Sequence, residues 1–222
     1  MPLFDGIDLF FDETLRNGPE QMALDEALLE NVRRPLLRPY RWAEPAVSFG
    51  YSQSIAEVQR HFPSAPCVRR WTGGGIVWHQ QDWTFALIVP STEPLARVRP
   101  AETYRVIHAA ILAALNSFGY CARLAQPLDC KDGMACFTSP ARYDVIGPDR
   151  RKLCGGAQRR TRRGFLHQGS IQNLLPPRDF ATGLLNGIAA ETRAFSPTPA
   201  LLARTRELVT AKYGTRAWLE RL

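Results

Sequence analysis

Lysine is scarce in this sequence. Of 28 basic residues, 25 are arginine, and only Lys131, Lys152 and Lys212 are lysine. Each lysine therefore draws attention, because its compact amine can shift its pKa and move a proton whereas a guanidinium cannot. Cysteine is sparse and unpaired. Cys67, Cys121, Cys130, Cys136 and Cys154 form an odd set with no Cys-x-x-Cys spacing, which argues against both a disulfide framework and a zinc site. Free thiols are expected, with no metal. No apolar run approaches the roughly 18 residues of a membrane span, and no charged-then-apolar leader follows Met1. The expectation is a soluble, cytoplasmic chain that contacts no membrane. Repeats and low-complexity segments are missing too, so residues 1–222 read as one domain, long enough to bury about 70% of its unfolded surface.

What the chain does have is Gly73-Gly74-Gly75 between two strand-like runs, in Arg69-Arg70-Trp71-Thr72-Gly73-Gly74-Gly75-Ile76-Val77-Trp78-His79. Each glycine costs roughly 0.5–1 kcal/mol against alanine in regular structure. The gain is backbone that can take positive φ and approach a ligand without a Cβ. The segment reads as strand, tight loop, strand, with Arg69 and Arg70 bringing charge to the loop mouth. Exposed N–H groups there would nest an anion. A plain glycine hairpin accounts for the glycines equally well, since the pattern is neither the Walker loop nor the dinucleotide fingerprint.

Periodicity places the elements. A helix starts at Gly18-Pro19, with Met22, Leu24, Ala27, Leu28 and Val32 on one side and Glu20, Asp25, Glu26 and Glu30 on the other. Strands follow over 36–42 and 46–51, then a short helix over 54–62 that Ser54 would cap. A dense apolar run over 83–90 fits a central strand. Residues 102–118 form the strongest helix, ended by Gly119; His108 on it reads as structural. A strand over 120–124 and a meander from 142 to 173 come next, and the tail from Pro177 reads as helical, with Trp218 as a late anchor. The class is α+β, a mixed, mostly antiparallel sheet flanked by helices.

Few residues can carry chemistry. Lys152, in Arg151-Lys152-Leu153-Cys154-Gly155-Gly156-Ala157-Gln158, would oppose the negative charge that develops in acyl transfer, with Gly155 and Gly156 letting backbone come close to a ligand. A solvated surface cation is the bland alternative. Cys136 lies in a loop and would accept an acyl group if a nearby cation lowered its pKa from about 8.5; an idle thiol is the alternative. His79 would line the same pocket or sit in a solvated turn. Asp144 would orient Lys152 or make an edge-strand ion pair. Six arginines between Arg150 and Arg163 and the net charge of +7 suit an acidic partner, a protein domain or nucleic acid.

Taken together, the triple-glycine segment, the Lys152 run and Leu166-His167-Gln168-Gly169-Ser170-Ile171 resemble the cofactor transferase family of lipoate–protein ligases and octanoyltransferases. Residues 22–29, 41–53 and 211–218 resemble other parts of that family. The resemblance implies the class II biotin/lipoyl synthetase-like catalytic domain. It also implies transfer of a medium-chain acyl group to the lysine of a lipoyl domain, on glycine cleavage H protein or a 2-oxoacid dehydrogenase E2. By analogy Arg70, Gly73, Gly74, Gly75, Ile76, Val77, Trp78 and His79 enclose the acyl chain or acyl-adenylate. Lys152 contacts the acyl carbonyl, with Asp144, Gly155, Gly156 and Ala157 beside it. Trp71 and Trp78 are bulky for positions beside an acyl channel.

Two branches fit differently. The ligases activate free lipoate with ATP and Mg²⁺ and commonly carry an accessory C-terminal domain, which this chain is not expected to have. One octanoyltransferase branch takes octanoate from acyl carrier protein onto a cysteine and needs no cofactor. Cys136-Phe137, sixteen residues before Lys152, resembles that cysteine. There Cys136 attacks the thioester, the Lys152 motif stabilises the oxyanion, and Lys152 or a water shuttles the proton. The thioester route is the preferred expectation, with the ATP-dependent ligase second. A non-catalytic basic module, binding nucleic acid or a scaffold, comes third.

Overall fold

A computed structural model describes residues 2–130 and 140–221 of the chain. The strands are β1 (Phe4–Leu9), β2 (Asp12–Arg16), β3 (Leu36–Trp42), β4 (Ala46–Phe49), β5 (Cys67–Arg69), β6 (Val77–His79), β7 (Trp83–Pro90), β8 (Arg123–Leu124), β9 (Val145–Ile146), β10 (Lys152–Thr161), β11 (Gly164–Ile171) and β12 (Ala189–Ala194). The helices are α1 (Gly18–Asn31), α2 (Ile55–His61), α3 (Pro100–Ser117), α4 (Phe180–Ile188), α5 (Pro199–Leu208) and α6 (Arg216–Leu219). A large sheet runs β12-β1-β3-β7-β11-β10-β9-β8, with β2 also on β3. Pairing is antiparallel from β3 onward through β7, β11, β10, β9 and β8, and parallel among β12, β1, β2 and β3. The class is the α+β arrangement read from the sequence.

The period of two in β7 sorts the core into two layers. Phe85, Leu87 and Val89 point to one face, where Ile107, Ile111 and Leu115 of α3 and Phe180, Leu184 and Leu185 of α4 cover them. Ala86 and Ile88 point to the other face, covered by Leu24, Ala27 and Leu28 of α1 with Leu201 and Leu208 of α5. Leu115, Phe165 and Ile88 are wholly buried.

Helix α1 starts on a capping box: Glu20 N–H donates to the Asn17 side chain, and Asn17 N–H donates to the Glu20 carboxylate. Part of its polar side is buried. Asp25 is wholly buried and Glu26 nearly so, because buried Arg38 on β3 takes Asp25 and Asp12 as partners at 2.6 and 2.7 Å. Glu26 meets Lys212 and the Tyr213 hydroxyl. Buried charge survives only when paired, and here the pairing fastens α1 to β3 and to the C-terminal segment.

Four expectations need correction. The strands flanking the triple glycine do not pair with each other. Both flank β4 in a small sheet ordered β5-β4-β6, parallel on one side and antiparallel on the other. The glycine segment is thus a crossing loop over β4 and not a hairpin. The tail is not wholly helical, since β12 adds parallel to β1. Only Ala189 of β12 is buried, so this edge strand carries no alternation for a sequence to display. The strand expected over 120–124 shrinks to Arg123–Leu124. Ser54 stands at the N-cap of α2 without a side-chain cap bond.

Candidate active site

A cleft enclosing about 450 Å³, counted out to its open mouth, lies between the small sheet and the β7–β11–β10 part of the large one. Of the residues singled out in the sequence, Arg70, Gly74, Val77, His79, Lys152, Gly155, Gly156 and Ala157 line it. The glycine loop and Lys152 therefore share one cavity. Five others do not line it. Gly73 and Gly75 contribute through their carbonyls, Ile76 is buried in the small sheet's own core, Trp78 stacks on Phe62, and Asp144 lies wholly buried behind Lys152. Trp71 packs with the α1/α5 core layer beneath Lys212 and Arg159, so neither tryptophan of the glycine motif crowds the cleft. Cys136 lies outside the described residues.

The glycine loop works differently from an anion nest. Arg70 turns back into it and donates from Nη2 to the carbonyls of Gly73 (3.0 Å) and Gly75 (2.8 Å) and from Nη1 to Ser48 Oγ (2.7 Å). The loop thus offers the guanidinium its carbonyls. Gly74 has φ +86°, and its carbonyl oxygen would be 1.9 Å from a Cβ built at Gly50. Two glycines are needed there for two backbones to touch. Arg69 is not at the loop mouth at all. It is wholly buried and donates to the carbonyls of Tyr51, Gln53, Trp218 and Leu219. Trp218 Nε1 donates back to Arg69 carbonyl at 3.1 Å, which makes Trp218 the anchor expected of it.

Lys152 is a buried ion pair and not a surface cation: it is 5% exposed and its Nζ is 2.8 Å from Asp144 Oδ2. Asp144 is held in turn by Ala141 N–H at 2.7 Å and by the Tyr104 hydroxyl. That hydroxyl accepts from Gly156 N–H at 3.1 Å, tying the pair to β10. Gly155 clears space for the lysine itself, since a Cβ there would come within 2.1 Å of Lys152 Cε. Gly156 similarly makes room for His167, whose Nε2 would be 2.5 Å from a Cβ. Both glycines face the cleft, but the space they leave is filled first by these side chains.

Behind this pair lie two buried histidines. His108 Nδ1 is 2.9 Å from the Tyr143 carbonyl, and its ring is 5.4 Å from that of His167. Burial, reinforced by the Lys152 charge, drives the His108 pKa down to about 3. Burial and His108 likewise hold His167 well below the ordinary histidine range. Both are neutral, structural rings, as read for His108.

The lining is completed by Met22, Tyr40, Trp42, Ser48, Thr84, Gln168, Gly169 and Ser170, none of which the sequence assigned a role in the site. There His79 bridges Ser48 Oγ and Asp82 Oδ2, each at 2.7 Å. Burial raises the Asp82 pKa, but the His79 ring and the hydroxyls of Ser170 and Thr84 outweigh it and hold the carboxylate below its usual range. Gln168 accepts from Thr72 at 2.8 Å and donates to Asp25 at 2.7 Å, so the cleft floor is joined to the buried charges under α1. In the sequence, His79 and the string Gln168-Gly169-Ser170 were the signals of this network. Among the arginines of 150–163, Arg160 is tied to Ala96 and Thr103, Arg163 to the Glu30 carbonyl, and Arg150 to Asp129.

The family model of the lipoyl protein ligase A/B catalytic domain matches residues 17–191, a span that contains the glycine loop, Lys152 and the cleft. This chain belongs to the lipoyl protein ligase A/B catalytic-domain family. Octanoyltransferase LipM of Kyrpidia tusciae is 36% identical over 171 residues, covering 70% of this chain and 62% of that protein. The LipM of Bacillus subtilis is 34% identical over 178 residues, covering 73% and 64%. The chain thus spans under two thirds of the length of these curated relatives. Among solved structures, the putative lipoate protein ligase Ta0514 of T. acidophilum superposes with a TM-score of 0.78 at 21% identity, covering 97% of this chain and 98% of that one. A lipoate-protein ligase A bound with ATP gives 0.76 at 20% identity, covering 96% and 98%. These likenesses fix the fold of this member of the ligase A/B family.

Proposed function

We propose that the chain is an acyltransferase, acting as one catalytic domain, that attaches an octanoyl or lipoyl group to the lysine of a lipoyl domain. The observation that carries this reading is one cleft flanked by the glycine loop with Arg70 on one side and the buried Lys152–Asp144 pair on the other. It is supported by family membership and by relatives at 31–36% identity named octanoyltransferase. Acyl transfer builds negative charge on the carbonyl oxygen, and a cation fixed beforehand in a water-poor cleft opposes it at little reorganisation cost. Asp144 and Tyr104 do that fixing for Lys152. The apolar flank of Met22, Val77 and Ala157 suits a hydrocarbon tail.

In the thioester route, the Cys136 thiolate forms a bond to the carbonyl carbon of an octanoyl thioester on acyl carrier protein, and the carrier's thiol leaves. The target lysine amine then attacks the same carbon and the Cys136 thiol departs. The acceptor is a lipoyl domain of H-protein or E2 type, and the route uses no nucleotide. Intact-mass spectrometry after incubation with octanoyl-carrier protein tests the reading. The expected result is an adduct of one octanoyl group that Cys136→Ala abolishes. Adenylate formation from free lipoate, ATP and Mg²⁺, undisturbed by Cys136→Ala, would replace the route with ligation. Inertness toward both donors would sink the enzymatic reading.

A further inference from the structure

His79 sits between two partners in an order suited to moving a proton. A carboxylate at Nδ1 fixes the ring proton there, which leaves the Nε2 lone pair to accept from the Ser48 hydroxyl. Trp42 stacks on the ring at 4.1 Å between centroids and sets its plane. Asp82 is fixed by the Thr84 hydroxyl at 2.8 Å and by that of Ser170. Among the described residues the charged groups around the ring are Asp82 before β7 and Arg70 of the glycine loop, which meets Ser48 Oγ; the Tyr40 phenol of β3 feels both charges. Burial holds the Tyr40 phenol protonated far above its ordinary range. Ser48, His79, Thr84 and Ser170 all line the cleft.

Acyl transfer to a lysine ammonium releases a proton that needs an acceptor. A lysine side chain with a pKa near about 10.4 arrives as an ammonium at neutral pH and has no lone pair to attack with. The Lys152 ammonium is committed to its ion pair with Asp144. Resting on the acyl-transfer reading, we infer that Ser48, His79 and Asp82 form a relay that takes a proton from the incoming lysine ammonium and so frees its lone pair to attack the acyl carbonyl. The N–C bond forms and the acyl C–S bond breaks. Of the two protons the ammonium loses, one goes to the departing thiolate. The other passes through the Ser48 hydroxyl to His79 Nε2, and the imidazolium so formed lies against Asp82. His79 later releases that proton to solvent.

The test uses the octanoyl-loaded full chain and compares two acceptors, a lipoyl domain and hydroxylamine, the latter a weakly basic amine already neutral at pH 7. In His79→Asn, transfer to the lipoyl domain is expected to fall about 10²–10³-fold at pH 7. Transfer to hydroxylamine should fall far less than transfer to the lipoyl domain, and the deficit toward the lipoyl domain should shrink as pH rises toward 9. An equal loss toward both acceptors at every pH would assign His79 a structural role and overturn the relay. So would a folded variant that no longer loads octanoate. Should His79→Asn not fold, Ser48→Ala removes a single oxygen and is read the same way, with a loss of about tenfold expected. A wild-type chain that never loads brings down the acyl-transfer reading itself; one that loads while both variants transfer normally brings down only the relay.

Discussion

Lys152 is defined by what surrounds it. Its amine sits beside Asp144 because the position after next but one in β10 is a glycine, and a Cβ at Gly155 would come within 2.1 Å of Cε and 2.5 Å of Nζ. Those atoms are the far end of a flexible side chain, so Gly155→Ala should displace the amine with little harm to the fold. The expected outcome is a loss of about tenfold or more in octanoyl transfer with a melting temperature close to wild type. Loss of folding in that variant would show that the glycine serves the strand and not the lysine. Arg38 is the opposite case. It is wholly buried and pairs with Asp12 and Asp25 together, so Arg38→Ala would leave wholly buried Asp25 without a cation and Asp12 with Arg16 alone. A destabilisation of about 3–5 kcal/mol by urea unfolding is expected.

Among the elements, the crossing loop of residues 70–76 depends most on its neighbours. It passes over β4 so closely that a Cβ at Gly50 would be 1.9 Å from the Gly74 carbonyl oxygen. The obstructing atom belongs to backbone, so no rotamer change relieves it. Gly50→Ala should push the loop off β4, break the Arg70 bonds to Gly73 and Gly75, and lower transfer far more than Gly73→Ala, whose Cβ would meet nothing within 4 Å. Comparing the two variants in the transfer assay separates close approach from glycine content as such. Equal activity in both would discard this account of the loop. Tyr104 shows the same dependence from the helix side. It projects from α3 to reach Asp144 and Gly156 at once, which couples the packing of α3 on the sheet to the placing of the Lys152 charge.

For the molecule as a whole, buried neutral histidines set the acid limit. In the unfolded chain His108 and His167 take up protons below about pH 6.5; in the folded chain His108 resists protonation down to about 3, and His167 is likewise depressed. The unfolded state therefore binds more protons as pH drops below about 6.5, and stability falls with pH through that window. The expected slope is at most about 1.4 kcal/mol per pH unit for each ring. Urea midpoints between pH 7 and 4 would show it, and His108→Asn should reduce the slope by one proton's worth whatever it does to absolute stability. A flat profile would mean these rings accept protons in the folded state. No described helix is long and apolar enough to cross a membrane.

The residue pattern by itself determined the α+β class, α1, α3, the β10–β11 hairpin and the two strings that meet across the cleft, because each is written in local periodicity or glycine chemistry. It also located Lys152, whose neighbours in sequence are its neighbours in space. The rest needed the fold. Asp25 and Glu26 look solvated on a helical wheel, and only a partner 13 residues on, Arg38, or near the C-terminus, Lys212 and Tyr213, takes them inside. The parallel pairing of β12 with β1 brings residues 189–194 beside residues 4–9 at one edge of the large sheet, with no alternation to announce it. His79 and Asp82 lie three residues apart, but Ser48 and Ser170 come from strands that no spacing links to them. Hydrogen bonds between distant segments carry no period, and so only the tertiary structure could assemble them.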